Sequence, residues 1–263
     1  MKCNLILTLV FALGSGPSST CRAQTGGTID ELTRSSHIIF LGRVVKLQTA
    51  NVEVLKAGEN TAVVRVEELL DAPAGVAGLN GQDVTVEMLR PQGMKTEQRA
   101  VFFTNGVLFG QHLAVKEIGQ LPVPADRRQL KAQIAAVRAK VAEETLQARV
   151  ASSVLVISGK VLSVKAIERV GPYSEHEGDW AVAVLQIEAV QKGSAEGKTV
   201  DVYFPQSTDE RWLLSPKFYV GQQGVWLLHR EGKFGLPETA LTALSPLDFQ
   251  PLTEQEKVRR LMR

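Results

Sequence analysis

The chain has 263 residues, 44% of them hydrophobic and 22% charged, with 30 basic residues against 28 acidic ones. This balance excludes disordered and fibrous classes and leaves room for one large domain or two ordinary ones. Near-neutral charge also argues against a nucleic-acid partner, because that affinity rests on clustered Lys and Arg neutralising phosphates.

The N-terminus reads as a signal peptide over residues 1–23. Lys2 supplies a positive start, Leu5 to Leu13 is an apolar run, and Gly14 to Thr20 is small and polar. The run is too short for the ~20-residue helix that crosses a bilayer, so no transmembrane segment is expected after its removal. Cleavage near Ala23 removes Lys2 and Arg22 and no acid, so the 30 basic residues fall to 28 against 28 acids. The expected location is the periplasm or the cell exterior. The rival processing route is cleavage before Cys21 with a lipid anchor on that cysteine, although residues 17–20 (PSST) lack the Leu-like residue that bacterial lipoprotein signals carry ahead of the cysteine. Cys3 and Cys21 both fall in the leader, which leaves the body of the protein without a disulfide scaffold or a thiol nucleophile. Stability must then come from buried apolar surface.

The body repeats itself. SSHIIFLGRVV (35–45) lines up without a gap on SSVLVISGKVL (152–162), which sets Gly42 over Gly159 and Arg43 over Lys160. VRVEELL (64–70) matches LQIEAVQ (185–191), GQDVTV (81–86) matches GKTVDV (197–202), and QRAVFF (98–103) matches QQGVWL (222–227). Asn105-Gly106 and Glu231-Gly232 follow as turn signals, then Phe109-Gly110 and Phe234-Gly235 in the same order. Each block alternates apolar with polar residues or is rich in Val, Ile and Phe, as strands require. Asn105-Gly106 suits a tight hairpin, since both residues accept positive φ.

Helices bracket the strands. A short one begins at Ile29; a long one from Asp126 to about Val150 places Leu130, Ile134, Val137 and Val141 on one face. A third spans 253–262, opened by the capping-box pair Thr253 and Glu256 and striped by Val258 and Leu261. The expected role of the long and C-terminal helices is to cover an open barrel end. The fold class is thus mainly β: two tandem five-stranded OB-like barrels, over 28–122 and 152–250, with a connecting amphipathic helix at 124–151.

From the Ile29 helix through SSHIIFLGRVV, then Val63 to Leu70 and Gln82 to Val86, the chain resembles the netrin and tissue-inhibitor-of-metalloproteinase type of OB domain. Gln191-Lys192-Gly193 fits the ending of that family's second strand. The resemblance covers most of both halves and rests on apolar strand patterns. Family members use framework disulfides, and the inhibitors present an N-terminal cysteine to the protease metal. Here the barrels hold no cysteine, and inhibition by that route would need cleavage before Cys21.

Chemistry-bearing motifs are sparse. The nucleophile-elbow, phosphate-loop and H-E-x-x-H signatures are absent, and His37, His112, His176 and His229 lie far apart. The densest polar cluster is Glu175-His176-Glu177-Gly178-Asp179, whose carboxylates and imidazole suit a divalent ion or a hydrolase site, and its counterpart in the first half is only Lys56 to Asn60. Trp226 aligns with Phe102 and belongs in a core, whereas Trp212 is a candidate surface anchor. No catalytic, cofactor-binding or metal residue and no cofactor is assigned. The sequence reads as a non-enzymatic module that binds an envelope or extracellular protein or polymer through the excursions Arg90 to Glu97 and Pro205 to Gly221. A secreted-protease inhibitor and a hydrolase at Glu175 to Asp179 are the alternatives.

Overall fold

In the computed structural model, residues 27–263 are described apart from 54, 90, 92, 109–112, 168–178 and 233. The signal-peptide reading, both cysteines, Phe109-Gly110, Glu175 and His176 therefore lie outside the described residues. The chain divides into two compact units, one up to Ile134 and the other from Ala135. Among the described residues no helix is long and apolar enough to cross a membrane.

Unit 1 contains α1 (Ile29–Ser35), β1 (Ile38–Leu47), β2 (Thr61–Asp71), β3 (Asp83–Glu87), β4 (Arg99–Leu108) and β5 (Ala114–Pro122). The strands close a barrel in the order β1-β2-β3-β5-β4, antiparallel throughout except where β3 runs parallel to β5. Thr28 caps α1 in a reciprocal capping box with Glu31. Every residue from Ile38 to Leu41 is buried, because β1 is covered on both sides. Ile38 and Phe40 point into the barrel with Val64, Val84, Phe102 and Val115. Ile39 and Leu41 point outward with Val101 and Phe103, beneath Leu32 of α1 and Leu130 and Ile134 of α2 (Arg127–Ser152). Burial on two faces explains why this strand reads as a continuous apolar run. Each such side chain contributes about 1.5–3 kcal/mol relative to exposure.

Unit 2 contains the rest of α2, then β6 (Leu155–Ala166), β7 (Trp180–Lys192), β8 (Thr199–Pro205), β9 (Gln223–Leu228), β10 (Leu241–Thr242), β11 (Phe249–Gln250) and α3 (Gln255–Leu261). They form a curled sheet in the order β10-β8-β7-β6-β9-β11, with β10 parallel to β8. A single antiparallel bridge, His229 with Thr242, joins the end of β9 to β10. Leu155, Ile157, Leu185, Phe204 and Trp226 fill the interior. Val156, Val225 and Leu227 face outward against Leu146 and Val150 of α2 and Val258 of α3. In both units the helices cover the outer face of the barrel wall, not the open end that the sequence suggested.

The two units share their register. β1 shifts against β2 at Ile39/Phe40, Leu41/Gly42 and Val44/Lys46; β6 shifts against β7 at Val156/Ile157, Ser158/Gly159 and Val161/Ser163, the aligned positions. Such shifts bend a strand and strengthen its twist, which a small barrel requires. At the middle shift both strands need glycine. A Cβ on Gly42 would meet Val64 Cγ1 at 2.5 Å, and one on Gly159 would meet the Gln186 carbonyl oxygen at 2.1 Å. Asn105-Gly106, read as a hairpin turn, lies inside β4, opposite Lys116 and Val115. Asn105 is held there by its side chain, which accepts from His37 N (2.8 Å) and donates to Ser35 O (3.0 Å).

Candidate cleft at one end of the first barrel

The connection from β1 to β2 folds back over the ends of β2, β3 and β5. It leaves β1 through Gln48, which sits at φ +54 and donates its N–H to Thr61 O (2.7 Å). Asn51 then pins it to β3. Its backbone N–H donates to Thr85 Oγ1 (3.0 Å), its side-chain amide donates to Asp83 O (2.9 Å), and the Thr85 hydroxyl donates to its carbonyl oxygen. The return is a tight turn in which Gly58 N donates to Thr61 Oγ1 and that hydroxyl donates to Gly58 O, both at 2.9 Å. These bonds use up the threonine hydroxyls and make the loop part of the barrel.

Between this loop and the barrel end lies a cleft of about 250 Å³, lined by Leu55, Lys56, Asn60, Thr61, Thr85, Glu87, Val107, Ala114 and Val115. Its floor is apolar and buried at Ala114 and Val115, whereas Val107 stands exposed at the rim. Lys56, Asn60 and Glu87 make no side-chain hydrogen bond or ion pair among the described residues. A wall with one cation, one anion and one amide over an apolar floor can orient a small ligand by hydrogen bonds and desolvate its apolar part. The cleft sits on the first inter-strand connection of the barrel. No protein-family model and no curated protein matches this chain.

The corresponding end of unit 2 is filled. Trp180 at the start of β7, Trp212 and Phe234 pack with ring centroids 5.2 to 5.6 Å apart. The Arg211 guanidinium lies over Trp212 at 4.9 Å and over Phe234 at 5.2 Å. Trp212, expected at the surface, is only 5% exposed, because these rings and the guanidinium enclose it. Trp226 is a core residue, as its alignment with Phe102 requires.

Other predicted positions do not assemble. Asp179 precedes β7 and its carbonyl accepts from Gln206 N (2.5 Å), but its partners in the acidic cluster lie outside the described residues. Arg90 and His112 lie outside them too. His37 precedes β1 and donates its backbone N–H to Thr104 O (2.9 Å). His229 is buried with Nε2 3.4 Å from Asp248 Oδ1, at the outer limit of hydrogen-bonding distance. Asp248 is fully buried and accepts from Arg149 Nε (2.5 Å) and Nη2 (2.7 Å), and from Leu244 N (2.7 Å) and Ser245 N (2.9 Å). Burial pushes its pKa up, but the Arg149 hydrogen bonds and charge, with the His229 contact, more than reverse this and hold it below the ordinary value. Among the described residues no three His, Cys, Asp or Glu side chains form a group that could hold a metal. Sequence reasoning passed over the cleft because Lys56 and Asn60 read as an ordinary loop. Only the pairing of β2 with β3 and of β3 with β5 brings Thr85, Glu87 and Val115 beside them.

Proposed function

We propose that the protein is an exported, non-enzymatic binding module of the cell envelope or exterior, and that its ligand occupies the cleft of unit 1. The observation that carries this reading is the set of Lys56, Asn60 and Glu87 side chains, without a partner among the described residues, around an apolar floor. Polar groups left without protein partners at a preformed concavity cost nothing to keep hydrated and become specific only when a ligand answers them. The OB-like strand order supports the likeness to netrin-type domains. In the second unit the same end is packed with aromatic rings, which favours the first as the ligand-holding half.

Titration of the purified, isotope-labelled chain with two probes, cellotriose and the zwitterionic dipeptide Gly-Leu, followed by amide NMR, tests the reading. Saturable shifts at Lys56, Thr85, Glu87 and Val107 with either probe, abolished in Lys56→Ala/Glu87→Ala, are expected. Shifts confined to other surfaces would move the binding site away from the cleft.

A further inference from the structure

The walls of the unit 1 cleft carry opposite charges that do not meet. Lys56 stands on the β1–β2 connection, and Glu87 closes β3 opposite Thr61 of β2. Both side chains are exposed, so each charge is hydrated in the free protein. Although they line one small space, they make no ion pair with each other among the described residues. Lys116, the neighbour of Glu87 in the β3–β5 ladder, makes none with it either and is not part of the lining. The strand and the loop therefore hold one cation and one anion apart across the cleft.

This separation discriminates between classes of ligand. A neutral one, such as a saccharide, would strip water from both charges and return no ionic contact. An anion answers Lys56 and leaves Glu87 desolvated; a cation does the reverse. Each of these incurs the cost of a charge that loses hydration without gaining a counter-charge. A zwitterion alone answers both walls, with a charge-assisted hydrogen bond at either end.

Size and the remaining lining narrow the class. At about 250 Å³ the cleft lies below the ~300–1,000 Å³ of sites that take drug-sized molecules, which favours a short ligand. A free amino acid holds its ammonium and carboxylate on one carbon, whereas a dipeptide sets them one peptide unit further apart, about 3.8 Å of chain. Walls too far apart to pair with each other fit the second spacing. The peptide bond is answered as well. Asn60 offers a carboxamide that both donates and accepts. In the β4–β5 ladder Gly106 pairs with Val115 and Leu108 with Ala114, so Val107 at the rim is a bulge whose backbone groups stand outside that ladder. Beneath it Ala114 and Val115 are buried and apolar, a floor for an aliphatic side chain. Resting on the reading that this cleft is the ligand site, we propose that its ligand is a zwitterionic dipeptide with an aliphatic side chain, its carboxylate toward Lys56 and its ammonium toward Glu87.

Amide NMR titration of the native labelled chain with Gly-Leu, its N-acetyl form, its C-terminal amide and cellotriose tests this. Gly-Leu is expected to give saturable shifts at Lys56, Glu87 and Val107, and each end-blocked form to bind at least about threefold more weakly. Lys56→Met should abolish the penalty for amidation alone, and Glu87→Gln the penalty for acetylation alone. A variant that merely disturbed the fold would not match one blocked end in this way. Gly-Leu binding at the cleft that is indifferent to blocking of either end overturns the proposal. Cellotriose binding there in place of Gly-Leu also overturns it, while leaving the cleft as the ligand site. No shift at the cleft with any of these probes removes the site and the ligand class together.

Discussion

The fifth strand separates the two units. In unit 1, β5 is continuous: Val115 pairs in parallel with Val86 of β3, and Leu121, six residues on, pairs with Val101 of β4. In unit 2 the same pairings are shared by two fragments, Leu241 of β10 with Val202 and Gln250 of β11 with Val225. Between the fragments the chain leaves the sheet, which frees the Leu244 and Ser245 N–H groups inside the fold. The Asp248 carboxylate accepts both, and Arg149 neutralises it. One barrel is thus completed by a continuous backbone ladder, whereas in the other unit a single bridge, His229 with Thr242, and a buried ion pair take its place. The lesson is that a strand order survives loss of its ladder only if another group satisfies the freed backbone.

Breaking the ion pair should give the largest effect. Arg149→Ala leaves Asp248 as an uncompensated buried charge and is expected to destabilise unit 2 by about 3–5 kcal/mol. All three tryptophans, Trp180, Trp212 and Trp226, lie in unit 2, so urea unfolding followed by tryptophan fluorescence reads that unit alone. An unchanged midpoint would show that the break needs no counter-charge.

The paired glycines give the next effect. Alanine at either is overpacked, at about 1–3 kcal/mol. Gly159→Ala should cost more than Gly42→Ala, because its Cβ meets the Gln186 carbonyl oxygen, whereas that on Gly42 meets the Val64 and Phe40 side chains, which can turn aside. Equal losses in thermal melts of the two variants would contradict the register comparison.

Acid sensitivity should follow the ion pair. Since the folded pKa of Asp248 is held below its ordinary value of 3.8, its stabilisation is present above that value and is lost as pH falls through the folded pKa. The fluorescence midpoint of the native chain should drop below about pH 4, while Asp248→Asn, weaker at neutral pH, should show a flatter acid limb. The smallest effect is expected at the cleft. Lys56→Ala and Glu87→Ala remove exposed groups that have no partner among the described residues and should change stability by less than about 0.5 kcal/mol while altering ligand binding. A large stability loss would show that these groups serve the fold.

Much of this architecture was readable in the residues. Gly42 over Gly159 and Trp226 over Phe102 located strands whose structural pairings coincide, because a glycine forced by close approach and an aromatic at a barrel centre leave period-2 signals around them. Asn105-Gly106 misled because turn preference is local, and pairing of β4 with β5 outweighs it. The long helix misled differently. Leu130 and Ile134 are buried as the stripe predicts, but Leu146 and Val150 are buried off that stripe at ~100° per residue.

The capping box expected at Thr253 and Glu256 is not formed, because Pro251 and Glu254 stand at the helix caps without side-chain bonds; the reciprocal box is at Thr28 and Glu31. What the residues determined alone was local: strand periods, the repeat and the paired glycines at the bulge. These depend on neighbours in sequence or on steric limits that one side chain carries. What only the tertiary structure decided was long-range: the Arg149–Asp248 pair, the enclosure of Trp212, and the cleft that brings Lys56 beside Glu87 and Val115. Each joins residues whose proximity is set by strand pairing and loop return, and no periodicity in a single stretch records that.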